Sequence, residues 1–297
     1  MRIGYACLTV GVPHTAFRSC LLKNASEQKL AELIEHNLDS LDHILDYNLQ
    51  NQIDLFRITS DLIPFGSSPV NQLPWPSLFA HRFLQLGEKI RQNGLRVSMH
   101  PGQYTVLNSP DPRVVRNALA DLAYHTQVLD LLGVSGAHKI ILHIGGVYGD
   151  KPQAIRRFIA NYGLLDPSIR QRLVIENDDR SYTIDDVLEI SAFIQAPVVF
   201  DNLHHAANHR DPTGTEISRI LECRKTWQPK DGLQKIHYSQ QAAGKRSGAH
   251  SESINLDDFM AFYQGLGGLD LDIMLEVKDK NISAIQCLQR LRSLQRQ

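Results

Sequence analysis

Short apolar runs alternate with longer stretches of mixed polarity along the whole chain. Most of the short runs are continuously apolar, which is typical of strands in a parallel sheet that is covered on both faces. We therefore predict eight strands. Their sequences are RIGYAC, LFRIT, LRVSMH, KIILHI, RLVIEN, PVVFDN, LQKIHYS and DIMLEV.

The stretches between these runs have apolar residues at helical spacing. The first helix is expected after Asn24, which would form a capping box with Glu27. A second is expected over about 75–93, with Gly94 as its left-handed stop, and a third begins with Pro112 at its first position. Further helices are predicted over 152–162, 183–194, 215–226, 255–265 and 281–295.

Eight strand–helix alternations within 297 residues favour one (β/α)8 TIM barrel, a single domain spanning residues 1–297. Roughly 250 residues are typical of that fold. No glycine- or serine-rich linker divides the chain. A doubly wound open sheet is the alternative, but its usual GxGxxG turn is missing after the first strand, where CLT follows instead.

Residue types that bind metals recur at the carboxyl ends of six consecutive predicted strands. In a barrel these ends meet at one mouth, where active sites lie. Buried carboxylates and imidazoles need a counter-charge, and His/Asp/Glu sets without thiolate suit Mn²⁺, Zn²⁺ or Fe²⁺. The size of the set indicates more than one ion. The candidate ligands are His100, His143, Glu176, Asp201, His204, His237, His250 and Glu276.

Two kinds of chemistry are compatible with such a cluster. Clustered metal ions activate water and stabilise the charge on a phosphate, which indicates hydrolysis of a phosphoester. The same cluster could bind a pair of sugar hydroxyls for isomerisation. The residue pattern alone leaves both reactions open.

Composition limits which binding partners and which cellular compartment we expect. The formal net charge of -1 and a pI near 6.9 favour no particular class of binding partner, although a neutral average can hide a local basic groove. No apolar run approaches the roughly 20 residues of a membrane span, so we expect no membrane segment. The four cysteines show no CxxC spacing and fit reduced thiols in a cytoplasmic protein.

Over residues 2–276 the sequence resembles the UV damage endonuclease family. The matching blocks include GYAC, SDLIPF, SMHPGQY, LHIGGVYGDK, IENDD, FDNLHHAAN, KIH, GAH and LEVKDK, in that order. The resemblance implies a barrel with two or three metal ions, usually Mn²⁺, with Zn²⁺ or Co²⁺ as alternatives. It implies that the enzyme nicks damaged double-stranded DNA immediately 5′ to pyrimidine dimers and 6-4 photoproducts. We expect a monomer without an obligate protein partner.

The resemblance also assigns roles to individual residues. The eight candidate ligands match the metal ligands of the family. Lys235 aligns with a lysine that can be carboxylated at the metals, although an ordinary strand lysine is the alternative. Gln103 and Tyr104 align with a pair that wedges into the duplex, and Tyr5 aligns with a tyrosine near the damaged nucleotides. The expected catalytic residues are Glu176, Lys235, His237 and Glu276.

Two positions depart from the family pattern. Ser68 stands where members commonly have a histidine, and Thr9 or Val10 stands where an asparagine often contacts the lesion. A neutral hydroxyl is a poor metal ligand, so one ion could be bound more weakly. The lesion preference is correspondingly open.

An endonuclease also needs cations around the mouth to hold phosphates. Lys245 and Arg246 are the preferred pair because they precede His250 by four or five residues. Other candidates are Arg18, Lys23, Lys151, Arg180 and Arg210.

Three alternatives remain at this point. A sugar isomerase or epimerase would use a similar barrel without a DNA wedge or a basic rim. An apurinic-site endonuclease would share the barrel and the metal cluster and differ in lesion choice. A non-catalytic sensor would bind damaged duplex and leave it uncut.

Overall fold

The computed structural model describes residues 1–208 and 215–295. Eight parallel strands close into a barrel in which each strand pairs with its neighbours in sequence and the last pairs with the first. This confirms the predicted (β/α)8 barrel and excludes the open sheet. The strands are β1 (Arg2–Ala6), β2 (Leu55–Ile58), β3 (Arg96–Met99), β4 (Ile140–His143), β5 (Leu173–Glu176), β6 (Val198–Asp201), β7 (Lys235–Tyr238) and β8 (Asp272–Leu275).

Helices surround this barrel and cover the outward faces of its strands. None of the helices in the described residues is both long and apolar enough to cross a membrane. They are α1 (Glu27–Gln50), α2 (Trp75–Leu78), α3 (Ala80–Gln92), α4 (Pro112–Leu131), α5 (Lys151–Tyr162), α6 (Pro167–Arg172), α7 (Ile184–Ile194), α8 (Asn202–Ala207), α9 (Glu216–Arg224), α10 (Leu256–Gly265) and α11 (Asn281–Gln295).

Two of the predicted helices differ from the structure, and one predicted helix start is confirmed. The capping box at Asn24 was wrong, because Ser26 caps α1 and its hydroxyl accepts from the Lys29 N–H. The single helix over 75–93 is divided at Phe79 into α2 and α3. The start at Pro112 was correct, since the Asp111 carboxylate accepts from the first turn of α4.

Charged residues close the amino-terminal end of the barrel. Arg96 at the start of β3 reaches across the interior to Asp272 on β8, at 2.7 Å. Lys139, just before β4, makes a 2.6 Å ion pair with Asp231. All four side chains are buried, and their pairing compensates the cost of burying charge. The candidate functional residues of the sequence lie at the opposite end, where the strands finish.

Candidate metal centre

Glu176, the last residue of β5, is the most connected side chain at the carboxyl end of the barrel. It is fully buried. One carboxylate oxygen accepts a 2.6 Å hydrogen bond from His237 Nδ1, and the other lies 3.1 Å from His100 Nε2. His143, paired with Glu176 in the β4–β5 ladder, places its Nε2 3.6 Å from the same carboxylate. Histidines at the ends of β3 and β4 and on β7 thus converge on one carboxylate of β5.

Asp201 and His204 are held in place because β6 runs directly into α8. One oxygen of Asp201 caps α8 by accepting from the His204 N–H at 2.7 Å. The backbone of Asp201 is fixed by Asn177, whose side chain bonds both its N–H and its carbonyl. The second Asp201 oxygen is buried without a hydrogen-bond partner among the described residues. A buried, unpartnered carboxylate oxygen is the kind of atom that a cation would satisfy.

The ligand atoms of these residues form three overlapping groups. In each group the candidate ligand atoms lie within 4.8 Å of one another. Glu176 and Asp201 each belong to two groups, so their carboxylates are placed to be shared. Oxygen and imidazole donors without thiolate fit divalent ions such as Mn²⁺ or Zn²⁺. The groups are His100–His143–Glu176, Glu176–Asp201–His204 and Asp201–His237–Glu276.

His250 borders these groups without belonging to them. Its Nδ1 donates to the backbone carbonyl of Glu276, and its ring centroid lies 6.1 Å from that of His204. All eight candidate ligands from the sequence therefore lie at one mouth. Their roles as metal ligands stay a prediction.

The carboxylates and imidazoles strongly perturb one another's protonation. Burial disfavours the charged form of Glu176, but His237 and His143 outweigh it and hold the pKa of this carboxyl well below its usual range. Burial likewise opposes protonation of His204, yet Asp201 and Glu176 raise its pKa to about 9. Burial lowers the pKa of His143 to about 4. The arrangement keeps Glu176 anionic, the form that binds a cation.

A cavity of about 720 Å³ opens directly over this centre. His143, His204 and His250 lie along its inner wall, and the turn Gln103–Tyr104 after β3 lies along its rim. Tyr104 is 69% exposed, and its ring lies against Gly102, where a β-carbon would collide with it. The predicted wedge pair and three of the eight candidate ligands thus line one cavity.

The family model of UV-endonuclease UvdE matches residues 1–296. The chain belongs to this family. The UV DNA damage endonuclease of Clostridium perfringens is 44% identical over 296 residues, which are 99% of this chain and 71% of that protein. The crystal structure of SacUVDE has a TM-score of 0.93 at 37% identity, with 99% of each chain covered. Endonuclease IV from Thermus thermophilus, with a TM-score of 0.60 at 14% identity over 99% of this chain and 98% of that one, shares the fold.

Sequence reasoning missed Arg57, which lies in the middle of β2. Its buried guanidinium pairs with Glu276 and donates to His237 Nε2 at 2.9 Å, which leaves the Nδ1 hydrogen of that ring for Glu176. Burial disfavours ionisation of Glu276, but Arg57 and His237 hold its pKa below the usual range. The signal was present as a lone charge within the apolar run LFRIT.

Lys235 lies two residues before His237 on β7, so both side chains point into the barrel. It is fully buried, and its Nζ has no hydrogen-bond partner among the described residues. Burial, reinforced by the charge of Arg96, holds the pKa of this amine well below its usual range. The structure thus places a buried amine, whose charged form is disfavoured, two residues before His237 on β7.

Two other residues that the sequence resemblance singles out, Tyr5 and Ser68, make local contacts. Tyr5 is fully buried, and its hydroxyl bonds Asn48 at 2.7 Å and Thr9 at 2.9 Å. The predicted contact of Tyr5 with DNA would therefore need the segment after β1 to move. Ser68 lies in the loop after β2, where its hydroxyl accepts from the Val70 N–H.

The lysines and arginines proposed to contact phosphates differ in exposure and in ion pairing. Lys245, Arg18 and Lys23 are exposed. Arg246 is also exposed but lies 3.1 Å from Asp179, beside the cavity. Lys151 is engaged by Asp186 and covers the ring of Tyr182, so it is not a free rim cation. Arg180 lies 3.6 Å from Asp179, and Arg210 lies outside the described residues.

Proposed function

We propose that this chain is a metal-dependent endonuclease that nicks damaged duplex DNA immediately 5′ to UV photoproducts. The observation that carries the proposal is the shared cavity. It is lined by His143 and His204, which belong to the overlapping ligand groups, and by the exposed Gln103–Tyr104 turn. Membership of the UV-endonuclease family supports the same activity.

The donor set fits two or three divalent ions, and we propose Mn²⁺, with Zn²⁺ or Co²⁺ as alternatives. His100, His143, Glu176, Asp201, His204, His237, His250 and Glu276 would hold them. When bound, such ions activate water and stabilise the negative charge that develops on the phosphate. We expect water to be the nucleophile, because clustered ions of this kind lower the pKa of water and no protein nucleophile is then needed.

The protein's own contribution to the reaction is the orientation of these ligands. Asn177 holds the backbone of Asp201, and the helix cap uses one Asp201 oxygen, while the other is buried without a hydrogen-bond partner among the described residues. Arg57 pairs with Glu276 and fixes the ring of His237. Such supporting contacts typically change metal affinity or activity by about 10- to 100-fold when removed.

Lys235 is proposed to act as a carboxylated lysine at the centre. A neutral amine is required for this modification, in which the nitrogen bonds the carbon of CO₂ and releases one proton. The depressed pKa of Lys235 and its unpartnered Nζ support the proposal. Incubation with carbon-13 bicarbonate should give a carbamate NMR signal in the protein that is absent from Lys235→Met. A spectrum without that signal would contradict it.

Substrate recognition is proposed to use the Gln103–Tyr104 turn as a wedge in damaged double-stranded DNA, with Lys245 and Arg246 on the backbone. A planar ring can fill the gap left by extruded bases. The 69% exposure of Tyr104 leaves its ring available for that role. We propose that a monomer suffices and that no protein partner is required.

The test is incubation with Mn²⁺ and an end-labelled duplex that contains one cyclobutane dimer at a known position. One product that ends directly 5′ to the dimer is expected. Glu176→Gln should abolish it, whereas Glu189→Gln, an exposed position on α7, should not. Cleavage of an abasic duplex with the dimer duplex left intact would instead establish an apurinic-site endonuclease. Binding without cleavage would indicate a sensor of distortion.

A further inference from the structure

A second aromatic side chain, Tyr148, lines the same cavity as the metal centre. It follows β4 by five residues and is 46% exposed. The cavity wall that it shares includes His143 and Tyr104. Its contacts within the described residues are made by the ring. An exposed ring beside a catalytic cavity is available to a substrate.

The backbone at Tyr148 has a conformation that tyrosine rarely adopts. Tyr148 has φ of 51° and the following Gly149 has φ of 75°. The N–H of Asp150 donates to the carbonyl of Val147 at 3.0 Å, which closes a tight turn around them. Turns with two positive φ values normally have asparagine, aspartate or glycine at the first of these positions. Residues held in such conformations cluster at functional sites, so the turn is a candidate substrate contact.

The surroundings of Tyr148 hold its ring in a fixed orientation. The ring lies over Gly146, where a β-carbon would approach it to 3.2 Å. The guanidinium of Arg157 lies 5.5 Å from the ring centroid, and Arg157 is itself anchored to the Asn108 carbonyl. Asn108 also donates to the carbonyl of Gly146 at 2.7 Å. The loop therefore presents a preorganised aromatic surface, which reduces the entropy lost on binding.

We infer that Tyr148 is a stacking platform for a nucleobase that is drawn out of the damaged duplex into this cavity. The inference rests on the proposed function and extends it to a specific contact with the substrate. Aromatic stacking tolerates any base, because every base has a π-face. Such a contact suits an enzyme that reads distortion and not sequence. Arg157, packed against the ring, would stay in place and support it.

The test compares three variants on the dimer duplex. Tyr148→Asn removes the ring and relieves the backbone strain, whereas Tyr148→Phe keeps the ring. Phe193→Ala, on α7 and 67% exposed, is the matched loss of an exposed aromatic outside the cavity. We expect Tyr148→Asn to lose about 10-fold or more in affinity for the dimer duplex over undamaged duplex, and in kcat/KM for nicking. Its Tm and its Mn²⁺ affinity should equal or exceed those of the wild type.

The other outcomes overturn the inference, the proposed function or both. Wild-type affinity and kcat/KM in Tyr148→Asn would show that the ring does not contact the substrate. Equal losses in Tyr148→Phe would assign the effect to the hydroxyl, and a matching fall in Tm would assign it to the fold. A wild-type protein that binds the dimer duplex but leaves it uncut refutes the proposed nicking, and the affinities still decide the role of Tyr148. A wild-type protein that does neither refutes both.

Discussion

Replacing Glu176 with glutamine removes one negative charge from the most connected point of the centre while preserving the size of the side chain. The carboxylate is bonded to His237 and His100 and belongs to two of the three ligand groups. Glutamine can accept only through its single carbonyl oxygen. We therefore expect this variant to keep the fold and to lose most of its response to Mn²⁺.

The expected loss of Mn²⁺-dependent stabilisation in Glu176→Gln follows from the number of ion sites that this residue contributes to. Even a supporting contact around a metal changes its affinity by about 10- to 100-fold. A ten-fold loss corresponds to about 1.4 kcal/mol of metal-dependent stabilisation at saturation. Two sites at the lower figure give about 3 kcal/mol, or roughly 6 °C in Tm for a chain of this size. The metal-free protein should change less, because weaker hydrogen bonds, at about 1 kcal/mol each, are offset by burial of a neutral amide.

Thermal unfolding of metal-free and Mn²⁺-saturated protein measures this difference. The wild type and Glu189→Gln should both gain Tm on addition of Mn²⁺, and Glu176→Gln should gain roughly 6 °C less. Nicking of the dimer duplex should fall in parallel. A Glu176→Gln protein with the full Mn²⁺-dependent gain in Tm would refute the assignment of Glu176 as a shared ligand.

Three further predictions concern other parts of the molecule. Arg57→Met leaves Glu276 and His237 without their buried cationic partner. Urea unfolding should therefore show a free energy of unfolding about 3–5 kcal/mol lower than that of the wild type without metal, and a smaller difference with Mn²⁺. An equal difference in both conditions would contradict the proposed proximity of Arg57 to the ions. Burial and Arg96 lower the pKa of His138 to about 3, below its ordinary 6.5. As the pH drops, this imidazole is therefore protonated in the unfolded chain at a higher pH than in the folded protein. The free energy of unfolding should fall between pH 6.5 and about 3, by up to about 1.4 kcal/mol per pH unit. His138→Gln should flatten that slope, whereas a slope as steep as that of the wild type would contradict it. Tyr104→Ala should leave Tm unchanged, because the ring is 69% exposed, and should reduce the preference for damaged over undamaged duplex in a binding titration; an unchanged preference would exclude the wedge.

The barrel and the mouth could be predicted from sequence because both depend on short-range patterns. A continuous apolar run such as RLVIEN defines a strand, and its final Glu176 lies at the carboxyl end of that strand by chain direction alone. Closure of the barrel then brings Glu176 next to His143 and Asp201 without further information. The position of the candidate site therefore follows from topology.

Contacts set by tertiary packing could not be predicted in this way. Arg57 is distant in sequence from Glu276 and His237, and only the closed barrel shows that they meet. The hydroxyl of the buried Tyr5 donates to Asn48, which lies on α1 and is 43 residues away in sequence. Similarly, Ser26 and Asn24 are both good cap residues, and the choice between them depends on where α1 packs. Local propensity does not encode these pairings.

The most direct test of the metal centre is anomalous X-ray diffraction from crystals of the protein grown or soaked with Mn²⁺. Two or three strong anomalous peaks are expected between the side chains of Glu176, Asp201 and Glu276, with carboxylate oxygens about 2.0–2.3 Å away. The same crystals of Glu176→Gln should lose at least one peak. A map without peaks at this mouth, or with manganese bound only elsewhere on the protein, would contradict the account.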